Sequence, residues 1–184
     1  MNPVTKYVKS DAKKVFGFFG DYEFLSLSYP TPVKYKGKEY PSALNAFHAA
    51  KCPDPRDAKK FEEVDPAEAD KLSVGIPVYK NWAVLRDDVM REITESKFSD
   101  KDLAAQLVDT KGKSLINANH WGDEYWGVDQ KGSGLNKLGD ILEDIRSSKY
   151  PKRSKKKVEK VEETISEEKE KKSITSIFTR KDDE

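Results

Sequence analysis

Residues 117–127 read NANHWGDEYWG, and residues 132–139 read GSGLNKLG. The first run combines three large aromatic residues with two acidic ones: Trp121, Tyr125, Trp126, Asp123 and Glu124. Aromatic faces stack on flat rings, a carboxylate stabilises a developing positive charge, and free amides at a helix start suit phosphate. The two runs together predict a pocket for a nucleotide or an ADP-ribose-like ligand.

A helix is expected to follow the pocket motif, from residue 135 to about residue 146. Its apolar residues recur three and four positions apart: Leu135, Leu138, Ile141, Leu142 and Ile145. Apolar spacing and helix start and stop signals predict further helices over residues 42–51, 57–62, 66–72, 81–96 and 100–107.

The β structure predicted from the sequence is small. Residues 15–33 are expected to be extended, and residues 34–40 are expected to form a hairpin that turns at Gly37. The fold class predicted is therefore α+β, a helix-rich single domain with small β elements near the N-terminus.

Composition limits the class of protein. The chain has 184 residues, 36% of them charged and 36% hydrophobic, with a formal net charge of +1. Overall charge therefore gives no reason to expect nucleic acid or a membrane as a partner. The sequence lacks an apolar run of about 18 residues and a signal-peptide core at its start. Cys52 cannot form an internal disulfide, which favours a cytoplasmic protein.

Three segments are expected: an N-terminal lead over residues 1–14, a domain over residues 15–148 and a charged tail over residues 149–184. The tail has 12 lysine and arginine residues against 9 acidic ones, so we expect it to be disordered or partly helical. Its basic block, residues 152–157, is either a solvated stretch or a contact for nucleic acid. Ile174, Ile177 and Phe178 are either incidental or a short peptide that docks on a partner protein.

Metal and nucleophilic chemistry find little support. The chain has two histidines and one cysteine, whereas a structural zinc site takes about four ligands. There is no Gly-x-Ser-x-Gly motif and no Gly-x-Gly-x-x-Gly motif on a βαβ unit. We expect neither a metal nor a cofactor.

The helix predicted over residues 42–51 offers polar groups on one face. Leu44, His48 and Lys51 are spaced to share that face, so Lys51 could hold an anion and His48 could donate a hydrogen bond. The alternative is a solvated edge of an amphipathic helix. Trp82, at the start of another predicted helix, is either a packing residue or a stacking wall for a base or ribose.

Short segments of the chain follow one another in a recognisable order: YEFLS (22–26), NAFHAAK (45–51), NW (81–82), RDDVM (86–90), DEYWG (123–127) and GLNKLG (134–139). In this order the chain resembles the NADAR family, the YbiA-like N-glycosidases, over about residues 16–146. The resemblance implies a metal-free pocket for ADP-ribose-like ligands. It also implies hydrolysis of N-glycosidic bonds in early riboflavin-pathway intermediates or in ADP-ribosylated guanine.

The chain departs from the family pattern at several pocket positions. Leu44 and Asn117 stand where the family usually has glutamate, Leu27 stands where asparagine is common, and Ser73 and Val74 replace a Gly-Arg pair. Other family residues remain, and the resemblance implies that they bind the ligand or take part in catalysis: Lys51, Trp82, Asp123, Trp126, Gly127 and Asn136.

These departures leave three hypotheses. The first is a catalytically degenerate domain that binds a nucleotide-type ligand or serves as an assembly module, because an oxocarbenium-like transition state needs nearby negative charge. The second is a divergent N-glycosidase that relies on Asp123, with Glu124 as a helper. The third is an interaction protein that acts through its tail. Leu27 and Leu44 could also fill the pocket, which would contradict the first two.

Overall fold

The computed structural model describes residues 10–149. The predicted tail lies outside the described residues beyond Lys149, including the basic block at residues 152–157 and Ile174, Ile177 and Phe178. Residues 1–9 of the predicted N-terminal lead lie outside them as well.

Six α-helices account for most of the regular structure in the described residues: α1 (Ala43–Ala50), α2 (Pro55–Lys59), α3 (Pro66–Ser73), α4 (Trp82–Lys97), α5 (Lys101–Asp109) and α6 (Lys137–Lys149). Four of them begin at a residue whose side chain accepts a hydrogen bond from a first-turn amide: Ser42, Asp54, Asp65 and Asp100. Such caps satisfy amides that have no partner inside the helix. The helices predicted from the sequence are confirmed, with bounds that differ by at most three residues.

The hairpin is also confirmed. Strands β2 (Val33–Tyr35) and β3 (Lys38–Tyr40) pair antiparallel, with Val33 opposite Tyr40. Lys36 and Gly37 form the two-residue turn, with φ angles of 46° and 80°. Positive φ at both central residues is what such a tight hairpin requires, and glycine adopts it without strain.

The extended prediction for residues 15–33 is largely wrong. Only β1 (Lys14–Phe16) is a strand at its start, and Gly20–Leu25 form a 3-10 helix. This 3-10 helix buries the adjacent residues Phe24 and Leu25 in the core. In an extended strand their side chains would point to opposite faces, so both would not enter the same core.

A fourth strand was not predicted. Strand β4 (Ser114–Ile116) pairs parallel with β1, so that Val15 lies opposite Leu115 and both are fully buried. The pairing joins the start of the domain to the segment that leads into the NANHWGDEYWG run. It therefore fixes the position of Asn117, the residue that follows β4.

Helix α1 lies at the centre of the domain, where it contacts α2, α3, α4 and both hairpin strands. The core around it is apolar and includes Ala43, Ala46, Phe61 and Met90, each fully buried. Because α1 carries Leu44 and His48, this packing determines where those side chains open to the surface. Among the described residues, no helix is long and apolar enough to cross a membrane.

Candidate functional site

A cleft of about 290 Å³ opens beside α1. It is lined by residues from six parts of the chain: Phe18, Phe19, Ser26, Leu27, Ser28, Leu44, Phe47, His48, Asp70, Met90, Asn117, Trp121, Asp123, Trp126 and Leu138. Aromatic and aliphatic side chains dominate this lining, with a few polar groups among them. That mixture is typical of small-molecule sites.

Three of the five substituted residues named from the sequence meet in this cleft, whereas Ser73 and Val74 do not line it. Leu27, Leu44 and Asn117 all line it, together with Asp123 and Trp126. The amide of Leu44 donates to the carbonyl of Leu27 at 2.9 Å, so the two leucines belong to neighbouring parts of one wall. Both are partly exposed, and the cleft remains open beside them. The leucines therefore narrow the cleft without filling it.

Asp123 has a fixed orientation at the cleft. Its Oδ1 accepts hydrogen bonds from the amides of Tyr125 at 3.1 Å and Trp126 at 2.9 Å. Asn119, a residue that sequence reasoning missed, holds the same turn from the other side, because its Oδ1 accepts from the amides of Gly122 and Asp123. The carboxylate thus acts as a turn cap and also lines the cleft. Glu124, the predicted helper, does not line it.

The prediction that free amides at the start of α6 bind a phosphate is wrong. The amides of Leu135, Lys137 and Leu138 donate to the carbonyls of Glu124, Tyr125 and Trp126 respectively. These amides would have been free donors in an isolated helix, but the preceding turn already satisfies them. An anion at this helix start would therefore have to displace protein hydrogen bonds.

Asn136 and Gly127, both expected at the ligand, instead stabilise the framework of the site. Asn136 accepts from the amide of Asn117 at 2.9 Å and donates to the carbonyl of Leu115 at 2.9 Å. At Gly127 a Cβ atom would lie 2.2 Å from the carbonyl oxygen of Asn117, so a side chain has no room there. Both residues hold the Asn117 segment against the turn at Asp123, and neither lines the cleft.

His48 and Asp70 form a polar pair on the cleft wall. His48 Nε2 lies 2.7 Å from Asp70 Oδ1, and His48 is buried while the Asp70 side chain is 74% exposed. The hydrogen bond from His48 holds the pKa of the Asp70 carboxyl below its usual value. His48 was predicted as a donor, whereas Asp70 was missed, because only the packing of α3 on α1 brings it to the cleft.

Lys51 and Trp82 do not line this cleft. Lys51 follows the last residue of α1, and burial lowers the pKa of its ammonium group, although the charge of Asp70 opposes that effect. The Trp82 ring lies 5.2 Å from that of Phe47, which also lies 5.5 Å from the Trp126 ring. Trp82 lines a separate groove together with Tyr35, Tyr40 and Tyr79.

The Tyr125–Trp126 wall is held by α4. The guanidinium of Arg86 lies 3.5 Å from the centre of the Tyr125 ring, and the Tyr125 hydroxyl donates to Asp87 at 2.6 Å. The Tyr125 and Trp126 rings meet edge to face at 4.9 Å. The aromatic wall of the cleft is therefore braced from behind by a charged pair on a long helix.

Comparison with known proteins gives consistent results. Residues 6–148 match the NADAR domain family. The chain is 31% identical over 119 residues to the N-glycosidase YbiA of Escherichia coli, covering 62% of this chain and 74% of that protein. It is also 34% identical to a riboflavin biosynthesis protein of Vibrio vulnificus, over 67% of this chain and 34% of that protein.

The fold is similar to that of a solved relative. The NMR structure of Escherichia coli YbiA superposes with a TM-score of 0.67 at 27% sequence identity. The match covers 77% of this chain and 88% of that one.

Proposed function

Because this chain belongs to the NADAR family, we propose that its cleft binds the ribosyl part of a nucleotide or ADP-ribose-type ligand without hydrolysing the N-glycosidic bond. One observation carries the proposal. Leu27, Leu44 and Asn117 lie on the same cleft as Asp123 and Trp126. Three of the departures from the family pattern thus share one site with Asp123 and Trp126, two residues that are kept, whereas Ser73 and Val74 lie outside its lining.

Binding is supported by the lining of the cleft. Trp121 and Trp126 offer faces on which a base can stack, and Asp123 and Asn117 offer polar groups beside them. A volume of about 290 Å³ is near the lower end of ligand pockets and suits a group of nucleoside size. With the start of α6 already hydrogen-bonded, the diphosphate of a longer ligand would extend out of the cleft.

Loss of turnover is supported by the charges of the cleft. Cleavage of an N-glycosidic bond develops positive charge on the sugar, which nearby carboxylates stabilise, and a carboxylate usually orients the attacking water. Leu44 supplies no charge and Asn117 is neutral. Loss of one such preorganised group costs on the order of 3 kcal/mol of transition-state stabilisation, which lowers the rate roughly a hundredfold to a thousandfold.

The test compares the natural chain with the Leu44→Glu/Asn117→Glu variant on ADP-ribosylguanosine, with products separated by chromatography. We expect the natural chain to bind ADP-ribose in calorimetry but to release no base. The double variant should gain at least a hundredfold in hydrolysis, because it restores the two charges that the transition state requires. Hydrolysis by the natural chain at the rate of the double variant would overturn the proposal.

A matched control is Leu44→Gln/Asn117→Gln, which introduces side chains of glutamate shape without their charge. If this variant gains as much activity as the glutamate variant, the gain comes from shape rather than charge, and the argument from lost carboxylates is wrong. Thermal unfolding of both variants shows whether they fold equally well.

The second candidate is a divergent N-glycosidase, and the fixed carboxylate of Asp123 in the cleft is what favours it. Asp123→Asn separates the two candidates well, because the asparagine oxygen can still accept from the amides of Tyr125 and Trp126. Turnover by the natural chain that Asp123→Asn abolishes would establish this second function in place of the first.

A further inference from the structure

The His48–Asp70 pair is a feature of the cleft that the proposed function does not yet use. The two residues are 22 positions apart, on α1 and α3, and meet at 2.7 Å. A carboxylate can only accept hydrogen bonds, so His48 Nε2 is the donor. His48 is 7% exposed and packs with its ring 5.5 Å from that of Phe61, which fixes the direction of this donor.

The pair is poorly explained as a stabilising contact alone. With its side chain 74% exposed, Asp70 is an ion-pair partner of the kind that contributes little to stability. His48 Nδ1 is buried without a hydrogen-bond partner among the described residues, which is unfavourable for a purely structural histidine. The position is therefore one where a polar pair is retained at some cost in stability, on the wall of the cleft.

Asp70 has acceptor capacity to spare. A carboxylate has about four lone-pair sites, and His48 occupies one of them. The hydrogen bond from His48 and the neighbouring charge of Lys51 both favour the ionised form of the carboxyl. An oriented, ionised carboxylate can accept from two adjacent hydroxyl groups at once, and such bonds are stronger than neutral ones.

The surroundings favour hydroxyl groups over a metal ion. Among residues 10–149 no group of three or more histidine, cysteine, aspartate or glutamate residues is placed to hold a metal ion. The same cleft offers the Trp126 ring as a stacking face, so a ligand with both a flat ring and hydroxyl groups matches the lining best.

We propose that Asp70, oriented by His48, binds the vicinal 2′- and 3′-hydroxyl groups of a ribose in the cleft, an assignment that rests on the proposed binding function. Asp70 is then the residue that distinguishes a ribose from a deoxyribose ligand. His48 is a positioning residue, which acts through Asp70 and does not touch the ligand.

The test uses nuclear magnetic resonance titration of the full chain with adenosine, 2′,3′-dideoxyadenosine and ADP-ribose. The natural chain should bind adenosine at least tenfold more tightly than the dideoxy compound, as expected for loss of hydrogen bonds to a charged acceptor. Asp70→Asn should weaken adenosine about tenfold and leave the dideoxy compound unchanged. Glu68→Gln, which removes a charge from the same helix away from the cleft, should change neither affinity.

His48 is tested by rescue. His48→Gln keeps an amide that can donate to Asp70 and should retain the preference for adenosine, whereas His48→Leu should lose it. If both variants lose the preference for adenosine equally, His48 does not act through its hydrogen bond to Asp70, and its assignment as a positioning residue is wrong.

The outcomes separate this inference from the function on which it rests. If the natural chain binds adenosine and the dideoxy compound equally well, the ribose assignment is wrong while the binding function stands. If none of the three compounds shifts a resonance from the cleft, both are wrong. If Asp70→Asn leaves the affinity for adenosine intact, Asp70 does not bind the ribose, and the ribose assignment is overturned while the binding function stands.

Discussion

Lys97 brings a positive charge into the interior beside one wall of the cleft. It is 2% exposed, its Nζ donates to the carbonyl of Ser26, and it lies 5.4 Å from the centres of the Tyr29 and Phe98 rings. Burial lowers the pKa of its ammonium group to about 7. Because Ser26 lines the cleft, the hydrogen bond from Lys97 joins this buried ammonium group directly to the wall of the cleft.

The pH dependence of stability should reveal Lys97. The folded pKa of about 7 lies below the usual 10.5, so between these values the unfolded chain binds the proton more strongly. The free energy of unfolding is therefore expected to rise from pH 7 to pH 9, by up to about 1.4 kcal/mol per pH unit for this one group. Denaturant unfolding of the natural chain and of Lys97→Met measures the difference, since the variant should lack this component.

The exposed Lys101 supplies the control. Lys101→Met removes a lysine from the surface, so it should leave the slope of stability against pH unchanged. A Lys97→Met variant with the same slope as the natural chain would show that the buried ammonium does not titrate in this range.

At the scale of elements, α1 depends on the polar contacts of Ser42, the capping residue that precedes it. Ser42 is fully buried, and its Oγ accepts from the amide of Asn45 and donates to Asn45 Oδ1 at 2.6 Å. Asn45 in turn donates to the carbonyls of Phe61 and Val64. The helix that carries Leu44 and His48 is therefore tied to the segment before α3 through Asn45, whose side chain Ser42 holds in place.

Ser42→Ala should be costly for this reason. It removes the cap and leaves a buried amide oxygen with one hydrogen bond fewer, so we expect a loss of about 1–3 kcal/mol in the free energy of unfolding. Chemical denaturation measures the loss. Ser99→Ala, which removes an exposed hydroxyl that bonds to Ser96, should change stability by less than about 0.5 kcal/mol. Similar effects for both variants would contradict the role given to the buried cap.

The elements that sequence reasoning predicted are those with local signals. Helices α1 and α3 are preceded by the capping residues Ser42 and Asp65, and α3 begins with Pro66, whose φ is fixed near the helical value. Such residues mark a helix start in the sequence itself. The pairing of β1 with β4 has no such signal. Each strand has only three residues, and one of the three opposed pairs, Lys14 with Ser114, is polar, so no apolar pattern marks either strand.

The site divides in the same way. Asp123 and Trp126 were predicted because they lie in one continuous motif, and the turn that holds them is local. Asp70 could not be, since its partner His48 lies on another helix and only the packing of α3 on α1 joins them. The hydrogen bonds that close the start of α6 likewise depend on the path of the preceding turn.

For the whole molecule, the described core and cleft are built from residues 10–149. The sequence of residues 150–184 is too charged and too poor in apolar residues to predict a core of its own. The pocket hypotheses and the tail hypothesis therefore place function in different parts of the chain.

Ending the chain after Lys149 separates them. We expect the melting temperature to change by less than about 4 °C, corresponding to less than about 1 kcal/mol, and the affinity for ADP-ribose to stay the same. Calorimetry measures both quantities. Loss of a protein partner on truncation, with ligand affinity kept, would support docking through Ile174, Ile177 and Phe178; loss of ligand binding would contradict a self-sufficient cleft.

The arrangement of the three tryptophans gives the molecule its own optical reporter. Trp121 and Trp126 line the cleft, while Trp82 lies in the neighbouring groove on the far side of the Phe47 ring. Replacing Trp82 alone with phenylalanine would leave both remaining indoles at the cleft. All tryptophan emission of such a variant, excited at a wavelength where the tyrosines do not absorb, would then come from the walls of one site, and a base stacking between them would be visible as quenching, without any attached label.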